Sequence, residues 1–169
     1  SKVIQKYPKA KLIIAGGGRL KDLKTLINKL NVNDNVFLLG EVPDPFGVFL
    51  NTDAALMCSQ NEAMGRVTAE AMGCSCPVIG FNSGATPELI KHGYNGLLYN
   101  GGHEDLAECM MSMMENPEQT RKMGENALQT AMDNFTVEKY SAQILKVIES
   151  VVNSKKDDEG TAEIYDNNI

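Results

Sequence analysis

Two glutamates separated by seven residues stand in the segment Ser59–Pro77, SQNEAMGRVTAEAMGCSCP. Glu62 lies just past an apolar run that reads as a strand, so it falls in a loop. Gly65 then opens a helix, whose first backbone N–H groups have no partner within the helix. That end carries the positive pole of the helix dipole and favours a phosphate or a polarised hydroxyl. Glu70 sits inside the helix between Ala69 and Ala71. A carboxylate in so apolar a setting needs a partner, because burying it unpaired costs several kcal/mol. A vicinal diol, as in a ribose, supplies two donors to one carboxylate. The segment can therefore offer a carboxylate to a sugar, N–H groups to a phosphate and a second carboxylate to a ribose. The same spacing also fits a surface glutamate at Glu62 and a Glu70–Arg66 pair at i, i+4.

Gly16-Gly17-Gly18 also follows an apolar run and precedes a helical pattern, so backbone at Gly16 and Gly18 can approach a phosphate closely. The dinucleotide fingerprint G-x-G-x-x-G is incomplete, since Leu20 and Lys21 stand where its last glycine would fall. Cys58, Cys74, Cys76 and Cys109 lack the paired C-x-x-C spacing of a zinc site and read as small buried hydrophobes and free thiols, which fits a reducing, cytoplasmic setting. His92, in the turn HGYNG, and His103, at a helix start, read as surface or capping residues rather than bases. Met110, Met111, Met113 and Met114 read as helical core.

These residues need a scaffold. Apolar runs at Lys11–Ala15, Val36–Leu39, Ala54–Cys58, Pro77–Gly80 and Gly96–Tyr99 suit strands buried on both faces of a parallel sheet. Between them, Leu20, Leu23, Leu26, Ile27 and Leu30 recur at helical spacing. Shorter helices are expected after Pro45, over Val67–Met72 and over Pro87–Lys91. Longer ones are expected at 103–116 and 117–132, divided by Asn116-Pro117. A last helix starts after Thr136, an N-cap, and runs to about Val152. The alternation predicts an α/β domain, doubly wound and Rossmann-like, with a parallel sheet and helices on both faces. Ligands should bind at the carboxyl ends of its strands. We expect one domain over 1–152 and a polar tail, disordered or loosely docked, over 153–169.

Composition narrows the class. With 43% hydrophobic and 22% charged residues, the 169-residue chain has material for a core. A net charge of -6 argues against nonspecific binding to nucleic acid or anionic lipid. No run reaches the roughly 20 apolar residues needed to span a bilayer.

Glu62, Glu70-Ala71-Met72 and Cys76-Pro77-Val78-Ile79 together resemble the signature of retaining glycosyltransferases of the GT-B fold. More narrowly they resemble the family 4-like, group 1 enzymes, which include bacterial mannosyl-, glucosyl- and galactosyltransferases of lipopolysaccharide and capsule synthesis. Leu12–Gly18, Val36–Val42, Asp53–Ser59, Ser83–Glu88 and His92–Leu98 agree in order, so the resemblance covers about residues 8–150. It implies the C-terminal, donor-binding half of a two-domain enzyme that moves a hexose from a nucleoside diphosphate (UDP, GDP or ADP) to an acceptor hydroxyl. By that resemblance Glu70 holds the ribose hydroxyls and Glu62 is the catalytic carboxylate near the anomeric centre. The N–H groups of Ala63, Met64, Gly65 and Arg66 face sugar hydroxyls and phosphate, and Gly40–Asp44 lines the base pocket through backbone such as that of Val42. No cofactor and no metal is implied.

The chain departs from the family pattern at five points. The Arg and Lys that usually meet the diphosphate, and the first strand of this half, are expected upstream of Ser1. Ser75 and Ala85 stand where glycine is common, which puts local backbone geometry in question. The acceptor domain is expected upstream as well, so the isolated chain is expected to be inactive, and any membrane association belongs to that domain. The competing readings are a sugar-nucleotide epimerase of the same fold, a noncatalytic nucleotide-binding module and, against the incomplete glycine fingerprint, an NAD-dependent dehydrogenase.

Overall fold

Each apolar run forms a strand: β1 (Leu12–Ala15), β2 (Val36–Gly40), β3 (Ala55–Met57), β4 (Val78–Phe81) and β5 (Gly96–Tyr99). The computed structural model describes residues 2–166, with side chains over 2–154. All pairing is parallel. β1 pairs with β2, setting Leu12 beside Val36 and Ile14 beside Leu38. β4 lies between β3 and β5, with Leu56, Ile79 and Leu97 in one row. The expected single sheet is thus two parallel sheets, of two and three strands. The short β3 gives its ladder to β4 alone.

The chain divides into two compact units, Ser1–Thr130 and Ala131–Ile169. The first holds every strand and the helices α1 (Lys2–Lys6), α2 (Leu20–Lys29), α3 (Pro45–Phe49), α4 (Arg66–Gly73), α5 (Thr86–Leu89) and α6 (His103–Glu115), with most of α7 (Pro117–Asn134). Its core gathers Ile79, Leu97, Tyr99, Met113 and Met123, with Leu56, Phe81, Leu106, Cys109 and Met110 packed around them. Burying each such side chain contributes about 1.5–3 kcal/mol. Phe81 and Tyr99 meet edge to face, with ring centroids 5.2 Å apart. Met110 and Met113 enter this core as expected, whereas Met114 is exposed.

The sequence pattern gave no sign of α1. Five residues with one buried side chain, Val3, leave no periodic signal. Lys2 Nζ meets Glu104 Oε1 at 2.6 Å, and Lys6 pairs with Glu115. Tyr7 donates its hydroxyl to Glu115 at 3.2 Å.

The second unit is the last turn of α7 and α8 (Val137–Asp166). Thr136 caps α8, its Oγ1 accepting from the Lys139 N–H at 3.3 Å. The helix passes the expected end at Val152, and backbone expected as a polar tail from 153 is helical up to Asp166. Lys155, Lys156 and Glu159 are good helix formers and no proline interrupts them. The remainder of that stretch, 167–169, lies outside the described residues. Among the described residues, no helix is long and apolar enough to cross a membrane.

Candidate functional site

The loop after β3 leads into α4, and it carries Glu62. Glu62 is half-buried. Its Oε1 accepts from the Gly65 N–H at 3.0 Å, so the carboxylate is folded onto the entry of α4. Gly65 is the N-cap residue at φ 69, ψ 39, a left-handed conformation that glycine adopts without a side-chain clash. Ala63, Met64 and Arg66 are exposed around this corner. No side chain caps the helix end, which leaves its first N–H groups available to an anion. Thr68, one turn in, is buried, and its hydroxyl has no hydrogen-bond partner among the described residues.

The loop after β4 backs the loop after β3. Ser83 donates Oγ–H to the Gln60 carbonyl at 2.6 Å, and the Ala85 N–H donates to the Glu62 carbonyl at 2.9 Å. Sequence reasoning missed these contacts, since they join positions more than twenty residues apart. A buried strand followed by Asn82-Ser83-Gly84 is a local cue to them.

Glu70 lies on α4 away from Thr68, Ala71 and Met72, which face the core. It is half-exposed, so water solvates it where a buried carboxylate was expected. The alternative partner is not engaged: among the described residues no ion pair joins Glu70 to Arg66. The Cys74 thiol is pushed up by burial and then by the charge of Asp44 and of Glu70. Asp44 also caps α3, accepting from the Phe46 N–H at 3.0 Å. α3, capped by Asp44, packs against α4, the helix that carries Glu70.

Gly16 and Gly18 take φ 128 and φ 98 at the carboxyl end of β1. No atom lies within 4 Å of where a side chain would begin at either glycine. The Gly16 N–H donates to the Gly40 carbonyl at 2.6 Å and ties this loop to the end of β2. Glu41 extends over Gly17, its Oε1 2.9 Å from the Cβ position there. Nothing in the sequence announces that carboxylate, and it opposes an anion directly over Gly17.

Of the cysteines expected as small buried hydrophobes, only Cys76 is buried; Cys74 and Cys109 are half-buried and Cys58 is exposed. All four cysteines are free thiols, and burial pushes the Cys76 thiol up. His92 and His103 are exposed. His92 Nδ1 accepts from the Leu98 N–H at 3.0 Å, a turn-closing role. Ser75 takes the left-handed φ of 57, so serine bears a strain there that glycine would not, while Ala85 at φ -75, ψ -10 is unstrained. A cavity of about 430 Å³ under α2, lined by Lys24, Ile27, Asn28, Val36 and Phe37 among others, includes no predicted site residue.

Residues 1–130 match the family "Glycosyl transferases group 1", the same span as the first compact unit. The chain is 31% identical over 149 residues to the N-acetyl-alpha-D-glucosaminyl L-malate synthase of Bacillus anthracis, covering 87% of this chain and 39% of that protein. Anabaena HepE, solved in complex with UDP-glucose, superposes with a TM-score of 0.79 at 30% identity, over 85% of this chain and 42% of that one. TarM of S. aureus gives 0.79 at 26% identity, over 86% and 30%. The chain thus spans about two fifths or less of these relatives. The match covers most of the chain, its motif order agrees, and its parallel α/β fold is the Rossmann-like one of GT-B enzymes: the chain belongs to the group 1 glycosyl transferases.

Proposed function

We propose that this chain is the nucleotide-sugar-binding half of a retaining hexosyltransferase. The observation that carries the reading is that Glu62, a helix N-terminus without a side-chain cap and Glu70 all lie on α4 and its entry loop, with α3 and its cap Asp44 packed against α4. In this reading Glu70 takes the two ribose hydroxyls, and the backbone at Val42 meets the base. The N–H groups of Ala63, Met64 and Arg66, joined by that of Gly65 when Glu62 releases it, donate to sugar hydroxyls and the diphosphate, and the glycines Gly16 and Gly18 leave room beside them once Glu41 swings off Gly17. Glu62 faces the sugar near its anomeric carbon. The C1–O bond to the diphosphate breaks, a bond from C1 to the acceptor oxygen forms on the same face, and the acceptor proton leaves with the diphosphate. The helix end then meets the negative charge that grows on the leaving group, which is a form of electrostatic stabilisation. A solved complex of the similar Anabaena HepE with UDP-glucose supports a nucleoside diphosphate sugar as the ligand class.

Calorimetric titration of the chain with UDP, GDP and ADP tests the reading. Saturable binding of one of them is expected. Glu70→Gln should weaken it about 10- to 100-fold, the loss of a charge-assisted hydrogen bond of about 1.5–3 kcal/mol. Glu62→Gln should leave the nucleotide affinity in place and lower turnover in the longer enzyme, because its carboxylate acts mostly in the transition state. No saturable binding of any nucleotide, or a Glu70→Gln variant that binds like the wild type, refutes the assignment.

A further inference from the structure

Glu62 is held at both ends, and only one end uses its side chain. The carboxylate accepts from the Gly65 N–H at 3.0 Å, and the carbonyl accepts from the Ala85 N–H at 2.9 Å. Ser83 holds the Gln60 carbonyl at 2.6 Å. Between those two tethers Gly84 takes φ 58, and a Cβ on it would stand 2.5 Å from the Glu62 carbonyl oxygen and 3.0 Å from the Glu62 nitrogen. Both are backbone atoms and cannot swing aside as a side-chain tip can. The two loops therefore meet main chain to main chain at Glu62, and the Ser83 hydroxyl adds a side-chain tether at Gln60. Ser83 and Ala85 draw them together, and Gly84 sets how close they come.

We propose that Gly84 and Ser83 are positioning residues that set where the Glu62 carboxylate stands against the N-terminus of α4. Resting on the reading of Glu62 as the group facing the donor sugar, they also set its distance to the reacting carbon. A methyl group at 84 needs roughly 3.4 Å from the carbonyl oxygen, so the Glu62 backbone must retreat by about 1 Å. A reactive constellation tolerates about 0.5 Å, and a misplacement of about 1 Å costs about 100-fold in rate.

The test uses the 169-residue chain and backbone amide NMR, with UDP and UDP-glucose as probes. Glu62→Ala removes the acceptor of the Gly65 N–H, so the Gly65 amide proton moves upfield. Gly84→Ala should move that proton the same way, and adding Glu62→Ala to it should move it little further. Ser83→Ala should give a smaller shift in the same direction, and it carries the test if Gly84→Ala does not fold. Gly84→Ala should keep UDP affinity within about twofold while losing any extra affinity for UDP-glucose to the extent that Glu62→Ala loses it. An unmoved Gly65 amide in both loop variants overturns the proposal. So does a double variant whose shift is the sum of the singles, or an equal loss of both ligands. If the wild type binds UDP-glucose no more tightly than UDP, the sugar-facing reading of Glu62 fails, while the Gly65 shifts still decide the positioning.

Discussion

Replacing Gly124 by alanine sets helix propensity against packing, and the geometry says which wins. Gly124 is a buried residue of α7. Alanine in a helix interior is favoured over glycine by about 1 kcal/mol, so propensity alone predicts a gain. A Cβ at 124 would stand 2.3 Å from the Ser75 carbonyl oxygen and 3.4 Å from Pro77 Cδ. Relief needs about 1 Å of movement in a turn that is held on three sides. The Cys74 and Cys76 N–H groups both donate to the Ala71 carbonyl at 3.0 Å, and the Ser75 N–H donates to Met72 at 3.0 Å. Overpacking of this kind costs about 1–3 kcal/mol, and each distorted hydrogen bond adds about 1 kcal/mol. We expect Gly124→Ala to destabilise by about 1–3 kcal/mol net. Gly73, at the end of α4, has no atom within 4 Å of its Cβ position and no positive φ. Gly73→Ala is therefore expected to stabilise by up to about 1 kcal/mol. Urea unfolding followed by circular dichroism measures both. A Gly124→Ala chain as stable as the wild type, or two variants that shift the same way, refutes the reasoning.

Ser75→Gly should stabilise by about 0.5–1 kcal/mol in the same urea assay, because the left-handed φ of 57 strains a serine and not a glycine. Asn95 is fully buried, with Oδ1 accepting from the Lys91 N–H and Nδ2 donating to the Leu89 carbonyl and Thr130 Oγ1. Asn95→Ala strands those groups and should cost at least about 2 kcal/mol, read as a lowered melting temperature. The carboxyls of Glu104 and Glu115 lie below their ordinary value of 4.5, through hydrogen bonds and charge from Lys2 and Lys6 respectively. A depressed pKa stabilises the fold above the unfolded value and loses that effect as pH falls through the folded one. α1 should therefore loosen below pH 4.5, seen as rising proteolysis near Lys6 by an acid-active protease, and a Glu104→Gln, Glu115→Gln double variant should show that susceptibility at neutral pH to a neutral protease.

The strands were legible because each is an unbroken apolar run, but the two-sided burial expected of them holds only for β4 and β5: β1 and β2 leave one face open, with Ile13, Phe37 and Leu39 exposed. The helices α2, α6 and α7 were legible from periodicity and from Asn116-Pro117. α1 was not, because five residues cannot show a period and its anchors, Glu104 and Glu115, lie about a hundred residues away. At the site, the entry of α4 was legible from Gly65 and the strand before it. Glu70 was read as needing a partner because Ala69 and Ala71 flank it, yet only Ala71 turns inward. The fixing of Glu62 by Ala85, Ser83 and Gly84 was illegible, since backbone contacts between distant loops leave no pattern of residue types. Glu41 over Gly17 was hidden for the same reason.

The main-chain lock between the loops after β3 and β4 also bears on how this protein can change over generations. Gln60 and Glu62 enter it through carbonyls and Ala85 through its N–H. None of those atoms depends on what side chain the residue carries, so mutation can alter positions 60 and 85 without unfastening the lock. Ser83 and Gly84 have no such freedom, because Ser83 binds through its hydroxyl and the contact of Gly84 is the absence of an atom. Drift in these loops is thereby channelled: the side chains at positions 60 and 85 can be exchanged for new ones while the frame that carries them is inherited unchanged.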